Sequence, residues 1–312
     1  MMLSLSEAEV RAVLGAGRAV AAADGTFAEH ERQLLEAAAR ALGYSGDVGE
    51  LEPAAPESVA AVVTDSRTRE RIVQALILVA LMDGEVKDSE LVAIRRYARA
   101  LGVDEPRLQN LRQLAHGQTR LLYLDLWRRS EYMKGAARKA WQDKGLGGLW
   151  RYFGSITGLA HDAELAWRYK QLGLLAEDTF GRAYWRHMTE RRFGFPGEHK
   201  GFPEELAKHD LCHVLGGYDT DPCGECEVIA FISGFNRADP FGYLFMIFVH
   251  KQLGVNLFNG SPVEHLKVPP ERVVRALERG ARVTADLYDP GWDFWPDFPL
   301  PLEEVRRKYG VP

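Results

Sequence analysis

The sequence predicts an all-α protein, and three observations carry that expectation. Apolar residues recur at helical spacing, as in Val10, Val13, Leu14 and Gly17 and again in Ile72, Leu76, Val79 and Ala80. Alternating period-two stretches, the mark of half-buried strands, are scarce. The N-terminal third also repeats a helix–turn–helix unit.

Composition bounds what those helices build. The 312 residues are 46% hydrophobic and 27% charged, which suits about two soluble domains and argues against disorder, collagen-like repeats or a coiled coil. The boundaries fall at 1–118 for a helical bundle, 119–158 for a connection and 159–312 for a second helical domain. A net charge of −5 disfavours a general nucleic-acid binder, and no nucleic-acid partner is expected. The longest apolar run, Phe241 to Val249, is broken by Gly242 and is too short to span a bilayer. Glu7, Glu9 and Arg11 interrupt the N-terminus, so a secretory signal is not expected there. Three cysteines, Cys212, Cys223 and Cys226, are too few and too odd in number for a disulfide framework, and point to a reducing cytoplasm.

Along the chain, Asp24 to Glu31 aligns with Asp83 to Glu90 at an offset of 59, which also carries Arg40-Ala41-Leu42-Gly43 onto Arg99-Ala100-Leu101-Gly102. Each unit reads as a helix ending at Asp-Gly, a turn, a second amphipathic helix and a glycine stop. Asp-Gly followed by Glu resembles half of an EF-hand loop. The positions that should supply the first ligands are Val20 and Ala22, or Val79 and Leu81, and aliphatic side chains cannot bind a hard cation. Helix capping with acids at the next N-terminus is the plainer reading. A loose cation site of Asp24, Glu31, Asp83 and Glu90 is the alternative. Pro53 and Pro56 break the chain between the units. This duplicated unit resembles the TerB-like family of tellurite-resistance and stress-response domains over about residues 5 to 115. The resemblance implies an accessory module, regulatory or membrane-proximal.

Trp127, Trp141 and Trp150 among many glycines suggest an irregular connection, after which aromatics and histidines become denser. Four of the nine histidines lie between His187 and His213. The strongest chemical signal is His209-Asp210-Leu211-Cys212-His213, followed by eleven residues and Glu225. On a helix, residues four apart share a face, so His209, Asp210 and His213 can present ligating groups from one turn. The turn formers from Gly216 to Pro222 allow a reversal, with Pro222 opening the next helix and returning Glu225 to the same place. Two imidazoles and two carboxylates suit a divalent metal, zinc first and iron or manganese as alternatives. Core histidines beside a capping Asp are the bland counterpart.

Two rival cysteine readings are weaker. Pro222-Cys223 with Cys226 matches the second half of a zinc-deaminase signature, but no suitably placed His-x-Glu precedes it. A structural zinc on Cys223 and Cys226 with Cys212 or His213 would enclose Glu225 awkwardly, so packed reduced thiols are expected.

The motif His-Asp-x-x-His, eleven residues, then Glu resembles the signature of the coenzyme Q (ubiquinone) biosynthesis family often called Coq-four. Thr179-Phe180-Gly181-Arg182-Ala183-Tyr184 is similar to its Gly-x-x-Tyr stretch. Arg279-Gly280 and the end from Trp292 to Val311, with Pro301-Leu302-Glu303-Glu304-Val305-Arg306, look like its C-terminal pattern. The resemblance covers about residues 160 to 312. It implies a helical domain carrying a divalent metal on His209, Asp210, His213 and Glu225. It also implies a prenylated quinone precursor or other isoprenoid lipid as ligand, other quinone-pathway proteins as partners, and peripheral contact with the inner face of the membrane from a cytoplasmic location. The activity implied is oxidative decarboxylation of a prenylated hydroxybenzoate at ring carbon one. The alternative is a non-catalytic lipid-binding scaffold whose N-terminal bundle senses cations or docks at the membrane. Cys223 and Cys226 around the Glu, and the N-terminal domain, depart from the family pattern.

A prenyl tail needs an apolar groove. Phe231, Phe235, Leu244, Phe245 and Phe248 are the candidates to line it, and plain core packing is their ordinary role. Homodimerisation is compatible with the sequence.

Overall fold

A computed structural model of the chain describes residues 5–129, 162–199, 201–257 and 268–312. Trp141 and Trp150 of the expected connection, and the side chain of Trp127, lie outside the described structure. Within it, fourteen α-helices are joined by turns and short 3-10 segments, and strand pairing is confined to one isolated bridge, Thr179 to Pro301. The fold is all-α, as the periodicity required. No described helix is long and apolar enough to cross a membrane.

The described residues fall into two units, one drawn from 1–129 and 241–278 and the other from 130–240 and 279–312. In the first, α1 (Glu7–Ala21), α2 (Glu29–Ala41), α3 (Pro56–Val62), α4 (Ser66–Ala80) and α5 (Asp88–Leu101) are followed by α6 (Arg107–Ala115) and α7 (Thr119–Arg129). Ser6 opens α1 with a reciprocal cap: its hydroxyl accepts from the Glu9 N–H while the Glu9 carboxylate accepts from the Ser6 N–H. Of the positions of α1 and α4 that the spacing singled out, Val10, Leu14, Gly17, Ile72, Leu76, Val79 and Ala80 are buried and Val13 is half-buried. The Pro53–Pro56 connector lies against α1, where a Cβ on Gly15 would meet Ala54 Cβ at 2.9 Å, and Pro56 opens α3.

The duplicated unit folds as its pattern demands. Gly25 and Gly84 take left-handed backbone angles in the two Asp-Gly turns, with φ of +92° and +84°. Glu31 and Glu90 then cap the following helices, accepting from the N–H of Ala28 (2.8 Å) and Lys87 (3.1 Å). The copies differ at one decisive place. Position 87 is lysine where its counterpart, Ala28, has no charge, and the Lys87 ammonium bonds Asp24 at 2.6 Å and Asp83 at 2.5 Å. The cation between the two aspartates is therefore the chain's own. It holds the two halves of the duplication together by a charge-assisted bridge.

Glu31 and Glu90 are buried, at 2% and 1% exposure. Burial first, then the charges of Asp83 and of Asp24 or Glu31, push their carboxyls up to about 7 and about 8, against the pull of the capping N–H and Lys87.

α12 (Pro240–Lys251) and most of α13 (Pro270–Ala281) complete this unit. Gln252 follows α12 and donates to the Met82 carbonyl at 2.7 Å while accepting from the Val268 N–H at 2.8 Å. Leu244, Phe245 and Phe248, expected beside a lipid, are buried in α12.

The second unit contains α8 (Ala163–Gln171), α9 (Phe180–Glu190), α10 (Ala207–Gly216), α11 (Pro222–Phe235) and α14 (Leu302–Tyr309). Thr179 caps α9, and the Phe180 and Gly181 N–H groups donate to the carbonyls of Leu300 and Phe298, both at 2.9 Å. The Gly-x-x-Tyr stretch is thus a helix start clasped by the C-terminal loop. Gly181 is required there because a Cβ would meet Phe298 Cβ at 2.9 Å. Tyr184 follows one turn later and stacks on Phe298, with Tyr169 and Trp295 completing an aromatic core. Burying each such ring stabilises the unit by about 2–3 kcal/mol.

Folded carboxyls raised above the unfolded value bind protons more tightly in the native state. The contribution of Glu31 and Glu90 is therefore full below about pH 4.5 and is lost as pH rises towards 8. Hydrogen exchange in the α2 and α5 segments should accelerate between pH 5 and 8, after correction for the intrinsic rate, and Glu90→Gln should flatten that change. Lys87→Met should cost about 2 kcal/mol at neutral pH, read by the same exchange.

Candidate metal centre

α10 and α11 carry the site. α10 ends at Gly217, left-handed with φ of +69°. Its last carbonyls, which have no partners within the helix, are taken by two guanidinium groups. Arg306 donates to Val214 and Leu215 at 3.1 and 2.9 Å, and Arg279 donates to Gly216 at 3.0 Å. Those arginines belong to the C-terminal pattern singled out in the sequence, and capping α10 is what they do. Their neighbour Gly280 permits a close approach, since a Cβ there would strike the Phe231 carbonyl oxygen at 1.9 Å.

The chain reverses after Gly217 and re-enters a helix as its composition required. Asp221 caps α11 by accepting from the Gly224 N–H at 2.6 Å, and Pro222 occupies the first turn. Gly224 allows the turn to close, because a Cβ would lie 2.1 Å from the Asp219 carbonyl oxygen. The next residue is Glu225.

Three of the four expected ligands come together. His209 Nε2 and His213 Nε2 are 3.1 Å apart, Glu225 Oε2 is 3.1 Å from His209 Nε2, and Glu225 Oε1 is 3.3 Å from His213 Nε2. Asp210 stands outside this cluster, with Oδ1 3.7 Å from His187 Nε2. Among the described residues, the cluster of metal-ligating atoms contains no cysteine sulfur. Cys212 is fully buried, and burial holds its thiol well above the ordinary range.

The donor atoms are disposed for a cation. A tetrahedral ion with bonds of about 2.0–2.1 Å keeps its ligands about 3.3 Å apart, close to the spacings found. His213 Nδ1 faces the Tyr218 carbonyl at 3.2 Å. A carbonyl only accepts, so neutral His213 carries its proton on Nδ1 and directs the Nε2 lone pair inward. Burial lowers the His213 pKa and favours that neutral form, with the Glu225 hydrogen bond opposing it. At His209 burial also works against charge, but the hydrogen bond and charge of Glu225, then the charge of Asp210, outweigh it and raise the pKa. Burial opposes the ionisation of Glu225, yet the two imidazoles beside it, whose positive charge it favours, hold its carboxyl well below the ordinary range. The negative carboxylate is thus matched to positive charge, whether a proton or a metal ion supplies it.

The five apolar candidates are all buried, Phe231 and Phe235 in the second unit and Leu244, Phe245 and Phe248 in the first. Phe231 packs on Tyr218 at 5.5 Å and on Phe235 at 5.3 Å between ring centroids. Sequence reasoning did not pick out His187, which borders the site from α9. The usable signal was its place three residues after Tyr184, on the same helical face.

Residues 56–113 match the family model of tellurite resistance protein TerB. The TerB match spans α3 to α6 and takes in the Asp83–Glu90 copy of the repeat, Lys87 included. No curated protein sequence matches the chain. A crystal structure from Nostoc punctiforme PCC 73102, of a protein named for ubiquinone biosynthesis, is similar at 19% identity and a TM-score of 0.37, over 65% of this chain and 94% of that one.

Purified chain carrying Cys223→Ala and Cys226→Ala should retain any bound divalent metal on elemental analysis, whereas His213→Ala should lose it. The reverse pattern would move the site to the cysteines.

Proposed function

We propose that the second unit is a divalent-metal centre of quinone biosynthesis, binding a prenylated hydroxybenzoate-type lipid and promoting its oxidative decarboxylation at ring carbon one. The observation that carries this reading is the His209–His213–Glu225 cluster, assembled from the residues of the His-Asp-x-x-His…Glu motif. In this reading Asp210 supplies the fourth ligand. Two imidazoles with one carboxylate are the donor set of catalytic zinc sites and also of mononuclear ferrous sites that use dioxygen. A bound ion of this class supplies Lewis acidity towards a carboxylate or phenolate oxygen.

The protein's own residues account for the rest. His213 is fixed as a neutral donor by the Tyr218 carbonyl, and Glu225 brings the negative charge that draws a cation to the site. Arg306 and Arg279 hold the end of α10, and with it His213, in place. Exchanging a ring carboxylate for hydroxyl consumes dioxygen and two electrons, so an external reductant or redox partner belongs to the reaction. The TerB-like unit is the accessory module, placing the chain in a stress-responsive or membrane-proximal setting. Other quinone-pathway proteins are the partners this reading supplies.

The direct test pairs mass spectrometry of co-purified lipid with turnover of a prenylated 4-hydroxybenzoate under air. The wild type should carry an isoprenoid aromatic and release carbon dioxide. Glu225→Gln should lower release at least 100-fold while the lipid is still bound. Lipid binding with no release from the wild type would favour the scaffold instead, and absence of both would sink the quinone reading.

A further inference from the structure

We propose that His187 is a positioning residue of the metal centre, gripping Asp210 through the carboxylate oxygen that faces it. The inference rests on the metal-centre reading above and deepens it. His187 lies on α9, an element that contributes none of the three clustered ligands. Its side chain is only 6% exposed, and its Nε2 makes no hydrogen bond. That nitrogen is 3.7 Å from Asp210 Oδ1, just beyond hydrogen-bond length. The ring is set between Phe193, 6.2 Å away, and His213, 5.5 Å away between centroids, so packing fixes its plane.

A buried imidazole nitrogen left without a partner is costly, and native structures rarely keep one without reason. A shift of Asp210 by less than about 1 Å would satisfy it. One turn earlier on the same helix the Tyr184 hydroxyl is also buried and without a partner. Burial first, and then the charge of Asp210, raise that hydroxyl well above its ordinary range, which places the carboxylate within its electrostatic reach. Two buried polar atoms without hydrogen bonds, the Tyr184 hydroxyl and His187 Nε2, thus lie one turn apart on α9, the second of them 3.7 Å from Asp210. A carboxylate that serves a cation with one oxygen swings about its own bond unless the other oxygen is held, and His187 is the group placed to hold it. The arrangement is a histidine supporting a ligating carboxylate, the inverse of the common pairing in which a carboxylate supports a ligating histidine.

The test is zinc affinity of the full-length chain, measured by competition with a chromophoric chelator. His187→Phe should weaken binding about 10–100-fold while thermal unfolding of the metal-free protein stays near wild type. His187→Gln keeps an N–H at similar reach and should restore most of the loss. In an Asp210→Asn background, His187→Phe should add little, because its effect passes through Asp210. Should Phe not be accommodated, His187→Ala against His187→Gln carries the same comparison. Wild-type affinity in a folded His187→Phe, or a loss of equal size with and without Asp210, would overturn the proposal and leave His187 as packing. Failure of the wild type itself to bind zinc, cobalt(II), iron(II) or manganese would instead overturn the metal centre on which it rests.

Discussion

Two imidazole nitrogens 3.1 Å apart, both facing one carboxylate, cannot be left to their lone pairs. Something positive has to lie among them, and the burial of His213 makes the requirement stricter, while His209 and Glu225 are only half-buried. In the metal-free protein a proton on His209 can meet the need, since Glu225 favours its charged form. A divalent ion meets it better, with three donors already spaced for it. α10 and α11 present that arrangement: two imidazoles four residues apart on one helix, and a carboxylate on the first turn of the next.

Close backbone approaches and side-chain caps help to hold these helices. Gly224 lets the turn close on Asp219, and Gly280 lets another helix press on the Phe231 carbonyl. Arg306 and Arg279 occupy the open carbonyls at the end of α10, an end that would otherwise repel the negative charge gathered beside it. The first unit solves a similar problem with different means. There two aspartates approach one another across a duplication, and a lysine present in only one copy neutralises them.

Much of this was legible in the sequence. The helical class followed from periodicity, the Asp-Gly turns from glycine's access to left-handed angles, and the start of α11 from Asp221-Pro222. The His209–His213–Glu225 cluster was legible because a spacing of four on a helix and a reversal before Pro222 are local rules. What escaped was non-local. Nothing near Lys87 says that Asp24, 63 positions away, will share its ammonium. Arg279 and Arg306 could be recognised as part of a pattern, but their targets on α10 depend on chain packing. Asp210 could be read beside His209 by adjacency, but not its approach to His187 on α9, at 3.7 Å from Oδ1 to Nε2.

X-ray absorption at the edge of the co-purified metal tests the central claim most directly. Nitrogen and oxygen neighbours alone at about 2.0–2.2 Å, with the multiple-scattering pattern of two imidazoles, is the result the proposed metal centre predicts. A sulfur shell at about 2.3 Å, or a spectrum without imidazole, would contradict it.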